Sequence, residues 1–193
     1  MIIGITGGSG CGKTTLLRLV ADMGGMVMDC DAIYHRLLST DTDLLRAIEN
    51  RFPGTVRQKK LDRKALGELV FADKAALEDL NRITHGAVKR EVERLLEEKP
   101  KLAAIDAIGL MESGLNGLCD VTVAVTAPEE DRVRRLMARD GITEEYARKR
   151  ISAQHTESWF REHCDYVLQN NGMLAEFEAK CIAFLRNLSI MET

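Results

Sequence analysis

Two hydrophobic rhythms alternate along the chain. Met1 to Thr6 is a short apolar run that leads straight into glycines, which predicts a buried strand. Leu16, Leu19, Val20 and Met23 then recur at helical spacing, and Gly24-Gly25 marks the end of that helix. Met26 to Asp29 predicts a second strand. From Asp31 to about Lys99 the pattern is almost wholly helical, with turn signals at Ser39–Asp41 and Pro53-Gly54 and with Asp62 and Asp73 placed as N-caps. Leu102 to Ile105 predicts a third strand, and β-branched Val121, Thr122, Val123 and Val125 predict a fourth. Pro128 suits a helical first turn, and Glu129, Glu130 and Asp131 suit its dipole. That helix ends near Asp140-Gly141, and Thr143 caps another that runs to about His155. Asp165 to Leu168 is the fifth strand. A last helix carries Leu174, Phe177, Cys181, Phe184, Leu185 and Leu188 on one stripe.

Strands separated by helices predict an α/β fold: a five-stranded parallel sheet flanked by helices, with the long helical stretch after the second strand inserted into it. Length changes this picture little. A chain of 193 residues buries about 70–75% of its unfolded surface and needs no disulfide or metal staple. Cysteines stand at 11, 30, 119, 164 and 181, an odd number without Cys-x-x-Cys spacing, and are expected to be reduced thiols in a cytosolic protein. MIIGITGG has no basic n-region and is not expected to act as a signal peptide; no run of about 18 apolar residues predicts a membrane span.

Charge changes the picture more. With 27 Lys+Arg against 30 Asp+Glu the net charge is −3, which argues against bulk nucleic-acid binding. Yet the segment from 132 to 161 carries eight basic residues and only four acidic ones. A mildly acidic chain therefore concentrates positive charge in one place.

The strongest chemical signal lies at the first strand's end. Gly7-Gly8-Ser9-Gly10-Cys11-Gly12-Lys13-Thr14 matches G-x-x-x-x-G-K-[ST] in full, with a strand before it and a helix after. Such a loop turns successive backbone N–H groups toward a phosphate, and the helix N-terminus adds partial positive charge. Lys13 can reach the β- and γ-phosphates, and the Thr14 hydroxyl can ligate Mg²⁺. Cys11 sits near a helix N-terminus and Lys13, an environment that lowers a thiol pKa; a small side chain that merely fits the loop is the favoured reading, and a redox-sensitive loop the alternative.

The loop predicts nucleotide binding but leaves its use open: phosphoryl transfer to a small acceptor, a GTP-hydrolysing switch, or binding alone. Asp106-Ala107-Ile108-Gly109 spells D-x-x-G, as in GTPase switch regions, but no N-K-x-D segment accompanies it. Asp29 ends the second strand and Asp31 follows it, with Cys30 between. In an open parallel sheet, ligands bind outside the strands' carboxyl ends, so these carboxylates are placed to orient a hydroxyl, accept its proton or assist a metal. Either one could instead cap the next helix. His35 follows one helical turn after Asp31.

Taken together, ITGGSGCGKTT, MDCDAIYHRLL, LDRKALGELVF with LNRITH, DAIGLMESG, RLMARDGITEEYARKRISAQ and CDYVLQNNG resemble, in order, the blocks of the dephospho-CoA kinase family. The resemblance implies a P-loop kinase of the nucleoside-monophosphate-kinase type. Its core would be residues 1–29, 100–138 and 159–193, its helical acceptor (CoA) domain 30–99, and its lid 139–158. It implies ATP-dependent phosphorylation of the ribose 3′-hydroxyl of 3′-dephospho-CoA with Mg²⁺, the last step of CoA biosynthesis. The closest alternative is another small acceptor such as a nucleoside monophosphate. Catalytic roles fall on Lys13, Asp31 as base, and Asp29. ATP would be bound by Gly8, Ser9, Gly10, Cys11, Gly12, Lys13, Thr14, Thr15, Arg139 and Arg150, with Thr14 on the metal. Asp29, His35, Arg63, Asn81, His85, Asp106 and Glu112 would bind the acceptor, and Gln154 matches the lid's trailing Gln. Departures from the family pattern are Ile108-Gly109-Leu110 for Pro-Leu-Leu, His85-Gly86 for His-Pro, and Gln169 for Asp.

Overall fold

A computed structural model describes residues 1–190, with side chains through 188. The elements in chain order are β1 (Ile2–Thr6), α1 (Lys13–Asp22), β2 (Met26–Asp29), α2 (Cys30–Thr40), α3 (Thr42–Arg51), β3 (Val56–Arg57), β4 (Lys60–Leu61), α4 (Arg63–Ala72), α5 (Lys74–Leu96), β5 (Ala103–Asp106), β6 (Val121–Thr126), α6 (Glu129–Asp140), α7 (Glu144–Ser152), α8 (Glu157–His163), β7 (Tyr166–Gln169) and α9 (Leu174–Ile190). A short 3₁₀ turn covers Leu115–Leu118.

The chain divides into two compact units, Met1–Met28 with Pro100–Thr193, and Asp29–Lys99. In the first, the sheet order is β2-β5-β1-β6-β7. β1 pairs in parallel with β5 and β6, and β6 with β7. The predicted strands are present, and β1 lies at the centre, where connections leave to both sides. At such a switch point, open parallel sheets bind ligands outside the strands' carboxyl ends. Ile3, Ile5, Val123 and Val125 are fully buried in the sheet and pack with Leu16 and Val20 of α1 and Phe177, Cys181, Phe184 and Leu185 of α9. Leu174, assigned to the buried stripe, is instead 59% exposed at the first position of α9. Val133 and Leu136 of α6 pack on Ala147 and Ile151 of α7 in a cluster of their own.

The second unit is helical except for a hairpin, β3–β4, that the apolar pattern does not reveal. Its two-residue turn, Gln58-Lys59, has both φ angles positive, 49° and 61°. Non-glycine residues rarely adopt that conformation, so the turn is held at a cost in strain. Asp62 and Asp73 cap α4 and α5 as expected, accepting from Ala65 N–H at 3.0 Å and Ala75 N–H at 2.8 Å. A further helix, α8, also went without a sequence signal; only Phe160 of its residues is buried.

Glu91 on α5 ties this unit together. Its carboxylate accepts from Arg94 at 2.8 and 2.9 Å and from Arg36 of α2 at 2.8 Å. Those bonds hold its pKa well below the usual carboxylate range, down to about 2, against the opposing effect of burial. A depressed carboxylate pKa contributes stability that is complete above the unfolded value and is lost as pH falls through the folded one. Melting temperature should therefore fall as pH drops from the ordinary glutamate range toward 2. Glu91→Gln should lower it at neutral pH and flatten that acid limb; an unchanged acid limb would show that the cluster contributes nothing.

Candidate active site

The loop between β1 and α1 is buried from Gly7 to Ser9, and Gly12 in the left-handed region (φ 97°) caps α1. Gly7 also has a positive φ, 129°, and a Cβ there would lie 2.1 Å from the Val125 carbonyl oxygen, so only glycine is accommodated. Every carbonyl from Gly7 to Gly12 accepts a hydrogen bond. The donors are Lys13 Nζ to Gly7 (3.0 Å), Cys11 N–H to Gly8 (3.3 Å), Arg132 Nε to Ser9 (3.0 Å), Arg135 Nη1 to Gly10 (3.1 Å), Asn170 Nδ2 to Cys11 (2.9 Å) and Thr15 N–H to Gly12 (3.1 Å). The N–H groups of Gly10, Gly12, Lys13 and Thr14, by contrast, have no protein partner among the described residues. A loop with engaged carbonyls and unengaged N–H groups at a helix N-terminus is an anion receptor.

Arg132 and Arg135 were visible in the sequence only as members of the basic run. Their three-residue spacing puts both on one face of α6, beside the loop, while Val133 and Leu136 turn into the core. Most of the other basic residues there are ion-paired nearby: Arg134 with Asp131, Arg148 with Glu129, Glu130 and Glu144, and Arg161 with Glu157. Arg139 and Arg150 both hold Asp140, at 2.7 and 3.0 Å, and depress its pKa. Gln154, after α7, accepts from Ser9 N–H at 2.9 Å and donates to Ser9 Oγ at 2.9 Å.

The expected low pKa of Cys11 is overturned. The side chain is 2% exposed, and desolvation raises the thiol pKa more than Arg132 and Lys13 lower it. Burial thus removes both the thiolate and access to it, and with them the basis for a redox-sensitive loop. Asp106 ends β5, its register neighbour being Ile5 of β1 just before the loop. Glu112, beyond β5, is bonded to His155 Nε2, and His155 stacks on Trp159 with ring centroids 3.6 Å apart.

In the helical unit, Asp29 proves to be the capping carboxylate: its Oδ1 accepts from Ala32 N–H at 3.0 Å. Asp31 lies in the first turn of α2, exposed, with no partner among the described residues. The capping alternative raised for these two residues thus falls on Asp29. A cavity of about 410 Å³ lies between α2 and the hairpin, lined by His35, Ser39, Lys59, Lys60 and Arg63 among others. Arg63 Nη2 is 3.3 Å from His35 Nδ1. The strained turn places Lys59 on that cavity's wall. Asn81 and His85 lie one turn apart on α5 and are not among its lining residues.

The family model for dephospho-CoA kinases matches residues 1–176. The dephospho-CoA kinase of Thermus thermophilus is 37% identical over 193 residues, covering 98% of this chain and 92% of its own length. The chain belongs to the dephospho-CoA kinase family. A crystal structure from Thermus thermophilus shares 36% identity and has a TM-score of 0.81, with 97% of each chain covered. The dephospho-CoA kinase from Campylobacter jejuni shares 26% identity at a TM-score of 0.69, covering 100% of this chain and 98% of its own. Kinases of this family act on a nucleotide phosphoryl donor.

The residues also suit the metal such a kinase would use. The Thr14 hydroxyl, at the start of α1, is exposed and has no hydrogen-bond partner among the described residues. Among those residues no group of three or more His, Cys, Asp or Glu side chains gathers into a cage. A lone hydroxyl of this kind would hold Mg²⁺ only together with substrate phosphates and water. Among the described residues no helix is long and apolar enough to cross a membrane.

Proposed function

We propose that this chain transfers the γ-phosphoryl group of ATP to the ribose 3′-hydroxyl of 3′-dephospho-CoA, giving ADP and CoA in the cytoplasm. The observation that carries the reading is the phosphate loop, with the N–H groups of Gly10, Gly12, Lys13 and Thr14 unengaged, in a chain of this family. Those groups bind the donor's phosphates. Lys13 leaves the Gly7 carbonyl to neutralise charge on the β- and γ-oxygens. Thr14 would hold Mg²⁺, which when bound would supply further charge neutralisation.

The Asp31 carboxylate takes the proton of the acceptor hydroxyl as its oxygen bonds to the γ-phosphorus. The bond to the β–γ bridging oxygen breaks, and its electron pair leaves with ADP. Arg139 and Arg150 exchange Asp140 for donor phosphates. His35 and Arg63, with Lys59 and Lys60 beside them, suit the acceptor's diphosphate. Asn81, His85, Asp106 and Glu112 contribute to acceptor binding, and Asp29 supports the start of α2.

The test is an acceptor panel. With Mg·ATP and dephospho-CoA, ADP should form in proportion to acceptor. Nucleoside monophosphates should give little. Preferred turnover of a nucleoside monophosphate, or guanine-selective hydrolysis without any acceptor, would overturn the proposal.

A further inference from the structure

Ser9 is held by all of its polar groups at once. Its N–H donates to Gln154 Oε1 (2.9 Å), its Oγ accepts from Gln154 Nε2 (2.9 Å), and its carbonyl accepts from Arg132 Nε (3.0 Å). Arg132 Nη2 also donates to Gln154 Oε1 at 2.7 Å, which closes a ring of three residues. The ring is seated on Gly8, where a Cβ would come within 2.1 Å of Arg132 Nη2 and 2.9 Å of Gln154 Oε1. Arg132 belongs to the start of α6 and Gln154 follows the end of α7, so the clasp joins both ends of the α6–α7 hairpin to the loop.

The chemistry gives this ring a purpose. A glycine-rich loop samples peptide flips readily, and each flip turns a carbonyl oxygen toward the place where a phosphate must sit. A partial negative charge there repels the donor. The clasp pins two successive peptide planes: Gly8–Ser9 is held by the Ser9 N–H on Gln154 Oε1 and by the Gly8 carbonyl on Cys11 N–H, and Ser9–Gly10 by the Ser9 carbonyl on Arg132, so neither can flip without breaking its bonds. Arg132 also leaves positive charge beside the loop, where it is the largest charge effect on Cys11.

We infer that Arg132 and Gln154 are positioning residues for the phosphoryl donor: together they set the two peptides that flank the Ser9 Cα, and hence the phosphate loop, before nucleotide arrives. The inference rests on reading the loop as the ATP site. Pre-setting is a gain in binding, since a loop already ordered loses less entropy on complex formation.

The experiment measures ATP binding by calorimetry in Mg²⁺ buffer without acceptor, then kcat and both KM values. Arg132→Ala and Gln154→Ala should each weaken ATP binding by about tenfold, the size of a lost charge-assisted bond. KM for ATP should rise in parallel, while kcat and KM for dephospho-CoA stay within about threefold. Because the two residues form one unit, the double variant should be little worse than the weaker single one. Arg132→Lys keeps one donor for the Ser9 carbonyl and should fall between alanine and wild type.

Unchanged ATP affinity in both alanine variants would overturn the inference. So would a fall in kcat at constant KM for ATP, which would put Arg132 on the transferring phosphoryl itself. Equal losses of ATP and acceptor affinity with a lowered melting temperature would reduce the clasp to a general fold contact. Failure of the underlying reading looks different: the unsubstituted enzyme would then bind no ATP.

Discussion

Lys13→Ala lowers turnover by at least about 10²–10³-fold, the loss that follows removal of one preorganised donor facing transition-state charge. Several observations make this the largest expected effect. Lys13 opens α1 and rests its ammonium on the Gly7 carbonyl at 3.0 Å, already inside the loop. The unengaged backbone N–H groups supply partial charges, whereas Lys13 supplies a full one. The remaining nearby cations, Arg132 and Arg135, are occupied with loop carbonyls. Little else in the loop can take over the role. Because Lys13 is only half-buried, the variant should fold. Single-turnover assays with saturating ATP separate the chemical step from binding; near-normal turnover would refute the assignment.

The second large effect is expected at Asp31. Asp31→Asn preserves shape and suits a helix's first turn, but it removes the basic carboxylate. General-base contributions are about 10²–10⁴-fold, and a loss toward the lower end is expected in kcat, with ATP affinity nearly unchanged. The neighbouring residue is the internal control. Asp29 caps α2 through Ala32 N–H, and asparagine caps equally well, so Asp29→Asn should cost far less activity than Asp31→Asn. Asp29→Ala should act differently again, lowering helix stability by about 1 kcal/mol. If Asp31→Asn instead abolishes ATP binding, the carboxylate serves the metal and not the hydroxyl.

The parts that patterning revealed share a physical reason. The central strands are short apolar runs bounded by glycine, proline or aspartate, and their burial depends on little beyond composition. The phosphate loop was legible because its glycines and Lys13-Thr14 answer to one constraint, a backbone wrapped around an anion. The hairpin escaped because its strands have two residues each and its turn is Gln58-Lys59, without the Asn-Gly or Gly that usually marks such turns. Helix α8 escaped for want of an apolar stripe.

At the site, the positive charge of residues 132 to 161 was visible, but its distribution was not. Arg139 and Arg150 looked like phosphate ligands, yet they share Asp140, which lies beside one in sequence and reaches the other across Gly141 and the start of α7. Arg132 and Arg135 looked ordinary, yet they meet the loop. Which face of α6 turns toward the loop is decided by the packing of Val133 and Leu136 on α7, a tertiary fact. Cys11 shows the same limit from another side. Spacing places it near positive charge, but only the fold reveals that desolvation outweighs that charge.

The central claim is a transfer to one particular hydroxyl. The most direct measurement is phosphorus NMR of the product formed from Mg·ATP and 3′-dephospho-CoA. The account predicts one new phosphomonoester, on the ribose 3′-oxygen, formed in equal amount to ADP. Free phosphate in place of that monoester, or a new phosphate at any other position, would contradict it.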